Sequence, residues 1–541
     1  MISRKLSSEK YAFYLLASLL ASVSIFLHLW KLGVVPEGIH VDESSIAYNA
    51  LSIAETARDE HGVLLPIFFR GFDNYHNPVM VYVLVPLMKF AGLEMWAVRL
   101  PSALFLLAAS AAFYFLASFV SRNRYIALFS AFVFSLLPWI FPISRILVCG
   151  FTAMLFFLSL GFYFLFKSMC ERSRPCALAA GIMLSLAMYS THAGRPITAL
   201  SLVIFVLSLN IALIKRWKIF AVFVSTYVVC LVPMIISVAN SSSSMTNRFY
   251  GMRVWQDSSG VVDIAGRIFD RYCEYFGPGF LFISGDTNIT HCTRYAGELY
   301  MFLIPFIIAG LYVFIRFFRN NPFYRFMLIC LLLYPAAAVM TITHFHSTCC
   351  INGTIFWMLA ATSGALFLWR RRRKTAILLA ITIIAAAWEI PYYFNTYFGG
   401  YAKTCGWIFN STVIDAVKRA KAYLAPGETL YISRYVFYPE NTDAEFKPEF
   451  YSILLFLFKE NPARYLERGF PSEKVSLYTG SEGVRNPGIL IRLDRLILPL
   501  PDGRMTEKKN LDQAPPGSQL LNQVPTASGI NFEIYHLTGL K

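Results

Sequence analysis

The chain has 541 residues, of which 56% are hydrophobic, 16% aromatic and only 15% charged. A soluble globular domain carries about 25% charged residues and a disordered chain is far less apolar, so both classes are excluded and a bilayer is implied. Lys plus Arg number 48 against 32 Asp plus Glu, a formal net charge of +16, which has to be mapped against membrane topology before it is read as a surface for an anionic partner.

In chain order, stretches of the length a membrane helix needs fall at 11–30, 97–120, 125–142, 146–166, 175–191, 197–214, 219–238, 299–315, 326–343, 351–369 and 375–394. The first has no small-residue cleavage site before Trp30-Lys31 and reads as a retained helix. The apolar stretch Val79 to Leu93 is short and carries Pro86 and Lys89; it reads as an interfacial helix. Basic residues mark every second loop: Arg4, Lys5 and Lys10; Arg122 and Arg124; Lys167, Arg172 and Arg174; Lys215, Arg216 and Lys218; Arg316, Arg319 and Arg325; then Arg370 to Lys374. That positive-inside pattern predicts a cytoplasmic N-terminus. It puts the loops 31–96 and 239–298 and the segment 395–541 on the outer face. These clusters hold more Lys and Arg than the whole net excess, so the charge records topology and no nucleic-acid partner is expected.

After residue 394 the composition shifts to mixed charges and turn residues. Helices are predicted over 412–424 and 449–459, strands over 428–434, 488–493 and 531–536, and a loop over 501–528. The predicted organisation is a transmembrane domain, 1–394, and a small α/β extracytoplasmic domain, 395–541. Of the ten cysteines, Cys273 and Cys292 share one outer loop and are the candidate disulfide pair.

The first outer loop carries the chemistry. Asp42-Glu43 follows the first span, then come Tyr48-Asn49-Ala50, Tyr75-His76-Asn77-Pro78 and Val98-Arg99-Leu100-Pro101-Ser102. On its own the acidic pair reads equally as a cap, with Asp42 at the N-cap of a helix running through Ile46 and Asn49. The ordered set, over about 65 residues, resembles the first extracytoplasmic loop of the GT-C glycosyltransferases of the protein O-mannosyltransferase and aminoarabinose transferase type. The segment Phe280 to Asp286, then His291, Arg294 and Gly297, and His344-Phe345-His346 resemble other outer regions of bacterial members.

The resemblance implies a polytopic α-helical membrane protein of about eleven spans, GT-C type, with a C-terminal α/β extracytoplasmic domain. It implies an inverting transfer of a sugar from a polyprenyl-phosphate donor to a lipid, glycan or protein acceptor, at the outer face of a bacterial inner membrane. Asp42 is the expected base, with Glu43 either orienting the acceptor or anchoring the loop. The leaving lipid phosphate needs cationic or hydrogen-bonding groups. His76 stands in the slot where the aminoarabinose transferases carry a lysine. Arg145 and Arg195 lie at outer ends of spans, where snorkelling or interfacial anchoring is the structural alternative. Arg294, His344 and His346 complete the candidate phosphate ligands. His344 and His346 beside Cys349 and Cys350 match no structural zinc spacing. No cofactor is required, and a divalent metal is compatible with the family. The region 139–150 lacks the second acid that some members carry, which leaves Asp73 and Asp286 as candidates. A transporter or flippase of a lipid-linked substrate, or a glycan ligase or polymerase of similar fold, is the alternative. The spans, however, are almost free of acids, Glu389 excepted.

Overall fold

A computed structural model describes residues 2–71, 74–208, 215–240, 253–255, 260–341, 345–433, 436, 448–468, 475–478, 484, 486–499, 505–509, 513–526 and 531–537. The chain divides into two compact units. The first comprises Met1–Val35, Ile67–Leu87 and Glu94–Lys403; the second comprises Pro36–Pro66, Met88–Leu93 and Thr404–Lys541.

The first unit is helical. Its helices are α1 (Ile2–Leu29), α3 (Pro78–Ala91, its last turn counted with the other unit), α4 (Met95–Ser121), α5 (Arg124–Ser135), the single turn α6 (Phe141–Ser144), α7 (Phe151–Glu171), α8 (Arg174–Ser190), α9 (Gly194–Ser208), α10 (Trp217–Asn240), α11 (Val261–Glu274), α12 (Ile304–Arg316), α13 (Pro322–Leu333), α14 (Gly353–Arg370) and α15 (Arg372–Thr396). Each of the eleven predicted apolar stretches contains a helix. Five segments, Glu9–Leu29, Met95–Ser121, Phe151–Glu171, Trp217–Asn240 and Arg372–Thr404, are long and apolar enough to cross a membrane. The stretch 125–142 is helical only to Ser135. Pro138 has no N–H to give, and the chain turns through α6 before α7 begins. Where α12 meets α14, a Cβ on Gly310 would strike the carbonyl of Ala360, and one on Gly364 would strike that of Phe306. Only glycine permits this approach, the usual device for pairing helices in lipid. A short hairpin, β1 (Phe69–Gly71) and β2 (Asn74–His76), pairs Phe69 with His76.

The second unit is α/β. Its sheet has the order β4-β3-β5-β9-β8, with β3 (Thr429–Ser433) parallel to β4 (Val475–Tyr478) and β5 (Gly488–Leu493). β9 (Asn531–Leu537) runs antiparallel to β5 and to β8 (Gln519–Pro525). A separate hairpin joins β6 (Arg495–Pro499) and β7 (Met505–Lys509). The expected loop over 501–528 therefore contains two strands; charged, Gln- and Asn-rich stretches concealed their extended backbone. Helices α16 (Ser411–Tyr423), α17 (Pro448–Phe458) and α18 (Pro462–Arg468) complete this unit, whose core joins Ala416 and Ala420 to Leu430, Ile432, Ile489, Ile491 and Ile534.

The first outer loop belongs to this second unit. Its helix α2 (Val41–Thr56) packs on α17, with Ser44 Oγ 2.8 Å from Ser452 Oγ, and sets Tyr48 edge-on to Tyr465 of α18. The strand leading into it is pinned at both backbone groups: the Ile39 N–H donates to the Phe409 carbonyl, and the Asn410 amide donates to the Ile39 carbonyl.

Candidate functional site

The residues singled out in the sequence fall in both units. In the second, His40, not Asp42, is the N-cap of α2. Its Nδ1 accepts the Asp42 N–H at 3.2 Å, and its own N–H donates to Glu43 Oε2 at 2.9 Å. The exchange is a capping box with a histidine as the cap. Glu43 is 0% exposed and anchors the loop. Asp42 stands one position earlier with its carboxylate 15% exposed and 3.7 Å from His40 Nδ1. Because that nitrogen accepts a backbone hydrogen, the neutral ring carries its proton on Nε2. Farther along α2, Asn49 exchanges two hydrogen bonds with Glu60. Burial pushes the Glu60 carboxyl up to about 7, with Asn49 pulling it down and Asp59 pushing it up.

In the first unit a cavity of about 530 Å³ opens among α7, α9, α13 and the turn before α14. Ile197, Leu200, Ile204 and Leu333 give it a long apolar wall, while His192, Arg195, His346 and Asn352 bring polar groups to it. Arg195 lies in the first turn of α9. Its Nη2 donates to Asn77 Oδ1 at 3.1 Å, its plane lies over the Phe68 ring at 5.0 Å, and its buried Nε has no hydrogen-bond partner. His192 Nε2 donates to the Tyr75 carbonyl at 2.8 Å. The Tyr75-His76-Asn77-Pro78 motif therefore holds both Arg195 and His192 at the neighbouring helix start. His76 itself is buried and is not among the residues that line the cavity.

His346 lines the cavity with Nδ1 2.8 Å from Thr348 Oγ1. Its ring stacks on His291 at 5.7 Å. His291 in turn lies 3.7 Å from Asp286, whose carboxylate accepts the N–H groups of Ser347 and Asn288. Burial alone would push the Asp286 carboxyl up, but His291 and those two N–H groups outweigh it and hold it below the usual carboxylate range. Glu298 accepts the Asp286 N–H, and burial together with the Asp286 charge raises its carboxyl well above the usual range. Asp286 is thus committed to the backbone and to His291. His344 and Asp73 lie outside the described residues.

Arg145 departs from the sequence expectation. It is 0% exposed, and its four terminal N–H groups go to the carbonyls of Leu27, His28, Trp30 and Val35, at 2.7 to 3.2 Å. It closes the C-terminal end of α1 and has no terminal donor left for a phosphate. Arg294 is exposed at φ 62° and is not among the cavity-lining residues. Cys273 and Cys292 form no disulfide. Cys292 is buried against the carbonyls of Ser284 and Ala296, whereas Cys273 is exposed on α11. Glu389, the acid within a span, accepts the N–H groups of Met301 and Phe302 and so caps the start of α12. Among the described residues no group of three His, Cys, Asp or Glu is placed to hold a metal ion. Sequence reasoning missed Asn77, Phe68 and the cavity wall. Asn77 lay inside a motif already noted, but nothing in one sequence says which helix it faces.

No family model and no curated protein matches the sequence. Solved structures do match in fold. The crystal structure of ArnT from Cupriavidus metallidurans bound to undecaprenyl phosphate is 13% identical, covers 98% of each chain and has a TM-score of 0.53. The apo state of the same protein is similar over 97% of this chain and 98% of that chain, at 13% identity and a TM-score of 0.52. A looser likeness, 12% identity and a TM-score of 0.48 over 94% of this chain and 75% of that one, is to the archaeal oligosaccharyltransferase AglB from Archaeoglobus fulgidus in complex with an inhibitory peptide and a dolichol-phosphate. The chain thus shares the fold of ArnT, with helices long and apolar enough to cross a membrane and a C-terminal sheet-containing unit.

Proposed function

We propose that this chain is an inverting glycosyltransferase that moves a sugar from a polyprenyl phosphate to an acceptor at the outer face of a bacterial inner membrane. The N-terminus is then cytoplasmic, and the loop of Asp42 and the second unit are extracytoplasmic. One observation carries the reading: a cavity whose long wall is apolar and whose polar groups are a guanidinium with an uncommitted Nε and two imidazoles, in a chain with the fold of an undecaprenyl-phosphate-binding protein. An isoprenoid phosphate needs that pairing of chemistries. The apolar wall takes the chain out of water, and the Arg195 fork faces the phosphate oxygens.

In the reaction an acceptor hydroxyl attacks the anomeric carbon from the face opposite the phosphate. The bond from that carbon to the phosphate oxygen breaks, and the lipid phosphate leaves with the electron pair. Asp42 takes the hydroxyl proton. Arg195, with His192 and His346, stabilises the charge that grows on the departing phosphate, in a site where few waters compete. Asn77 and Phe68 hold the guanidinium plane fixed. Glu43 serves the capping box, so its contribution is to place Asp42 on a rigid first helical turn. A transporter reading draws no support from Glu389, whose carboxylate is taken up by two backbone N–H groups.

The test is transfer by the full chain, purified and supplied with a polyprenyl-phosphate sugar. Asp42→Asn is expected to keep lipid binding and lose about 10²–10⁴-fold in rate. Undiminished transfer by this variant would remove Asp42 as the base. Failure of any polyprenyl phosphate to bind would remove the reading as a whole.

A further inference from the structure

The side chain that caps α2, the helix of the proposed base, is a histidine. Ser, Thr, Asp and Asn are the usual caps, and each keeps its acceptor oxygen across the neutral range. Imidazole changes charge between about pH 5 and 8, and its charged form has no acceptor nitrogen. The His40 ring is 22% exposed, so protons reach it from solvent. Its Nδ1 accepts the Asp42 N–H at 3.2 Å and lies 3.7 Å from Asp42 Oδ2. One nitrogen therefore meets both the backbone and the carboxylate of the same residue.

The backbone around that ring is held. The Ile39 N–H donates to the Phe409 carbonyl at 2.7 Å, and a Cβ on Gly38 would strike the same carbonyl. The His40 N–H donates to Glu43 Oε2, and the His40 carbonyl accepts the Ser44 N–H at 3.1 Å. A change of protonation is thus answered by the ring and not by the chain. Among the described residues, the titratable groups that face it are Asp42 and Glu43, both in the first turn of α2. The turn Gly406–Phe409 brings the Phe409 ring, edge-on at 6.3 Å, and α17 brings the Ser452 hydroxyl to the Val41 carbonyl at 3.5 Å. A proton arriving at Nδ1 makes both ring nitrogens donors. The Asp42 N–H then loses its acceptor, and the acceptor nearest the new Nδ1–H is Asp42 Oδ2. The positive dipole of a helix start opposes a cation there, so the carboxylate and not the helix holds the imidazolium.

We propose that His40 is a positioning residue for the base and an acid switch on transfer. Neutral, it caps α2 and holds Asp42 on an ordered first turn. Protonated, it leaves the cap and pairs with the Asp42 carboxylate, which then no longer takes the acceptor's proton. The proposal rests on the reading of Asp42 as the base. The active form is the one without the ring proton, so the rate is highest above the imidazole range and falls about tenfold per pH unit below it. In the proposed orientation the switch lies on the outer face, where it answers to the external medium. A second group on the same helix competes for this role: Glu60, pushed up to about 7 by burial, is bonded to Asn49 farther along α2.

The full chain in lipid nanodiscs is assayed for transfer from about pH 8 to pH 5. A saturating polyprenyl-phosphate sugar is used, so that His192 and His346 of the donor cavity register in Kd instead. The native chain is expected to lose about tenfold per pH unit below the imidazole range. His40→Asn keeps a cap oxygen at every pH. Whatever its rate at the alkaline end, its profile is expected to run flat through that range and to fall only where carboxyls titrate, about two and a half units lower. His40→Ser carries the same expectation should the Asn variant fail to insert. Hydrogen exchange read by mass spectrometry, corrected for the intrinsic rate, is independent of transfer. Between about pH 7.5 and 5.5 the first-turn amides of α2 are expected to lose about tenfold in protection in the native chain and to keep it in His40→Asn. A limb in the imidazole range that persists in both substituted chains, as it would if Glu60 governed it, overturns the switch. So does native transfer, or native protection, that does not fall. Undiminished transfer by Asp42→Asn overturns the base reading and with it the switch, while the exchange contrast still decides the cap.

Discussion

Arg145 and Arg195 look alike in the sequence: each ends a short polar run at the outer end of a span, and each is a candidate ligand for phosphate. Their surroundings separate them. Arg145 meets the C-terminal end of α1, where helix geometry leaves carbonyls without partners and the macrodipole is negative. The helix end and the turn that follows it take all four of its terminal N–H groups. Arg195 sits in the first turn of α9, where the backbone presents N–H groups and the dipole is positive. That helix end has no use for a cation, so the guanidinium turns to Asn77 on one side and keeps donors for an anion on the other. Which end of a helix an arginine meets decides whether it is a structural pin or a binding group.

The comparison can be broken at three points. The largest effect is expected from Arg145→Ala, which strands several carbonyls inside the protein at a cost of about 3–5 kcal/mol. Thermal unfolding of the detergent-solubilised chain should fall steeply, and Arg145→Lys should restore little, since one ammonium cannot reach four carbonyls. A stable Arg145→Ala that has lost only donor binding would reverse the two roles. Next comes Arg195→Ala, expected to unfold at close to the normal temperature while donor Kd rises about 10- to 100-fold, as expected for loss of hydrogen bonds to a charged group worth about 1.5–3 kcal/mol. Equilibrium binding of undecaprenyl phosphate reads this out, and an unchanged Kd would take Arg195 out of the site. The smallest effect belongs to Asn77→Ala. It keeps the charge and frees the fork, so Kd should rise only about threefold to tenfold, with no change in the Arg195→Ala background.

Much of the fold was legible because the bilayer imposes a length and a hydropathy that a single sequence displays directly. Each of the eleven apolar stretches contains a helix, and the strands 428–434, 488–493 and 531–536 lie within two residues of β3, β5 and β9. β1, β2, β4, β6, β7 and β8 were not legible: β1, β2 and β4 are three or four residues long, β6 follows β5 directly, and β7 and β8 are polar strands whose pattern resembles a loop. The site was legible as a set of residue types and illegible as partners. His40 took the cap that Asp42 was offered, because histidine is an uncommon N-cap and carries no strong signal. Arg145 and Arg195 could not be told apart, because hydrogen-bond partners more than a hundred residues away leave no trace in local spacing.

The contact between Ser44 and Ser452 spans 408 residues. During synthesis the helix bearing Asp42 emerges early, while the surface it packs on is made near the end. The proposed base therefore waits through the insertion of every later span, and a chain interrupted before α17 lacks the helix on which α2 packs. Synthesis of α17 and α18, late in the chain, is therefore what first offers α2 its packing surface.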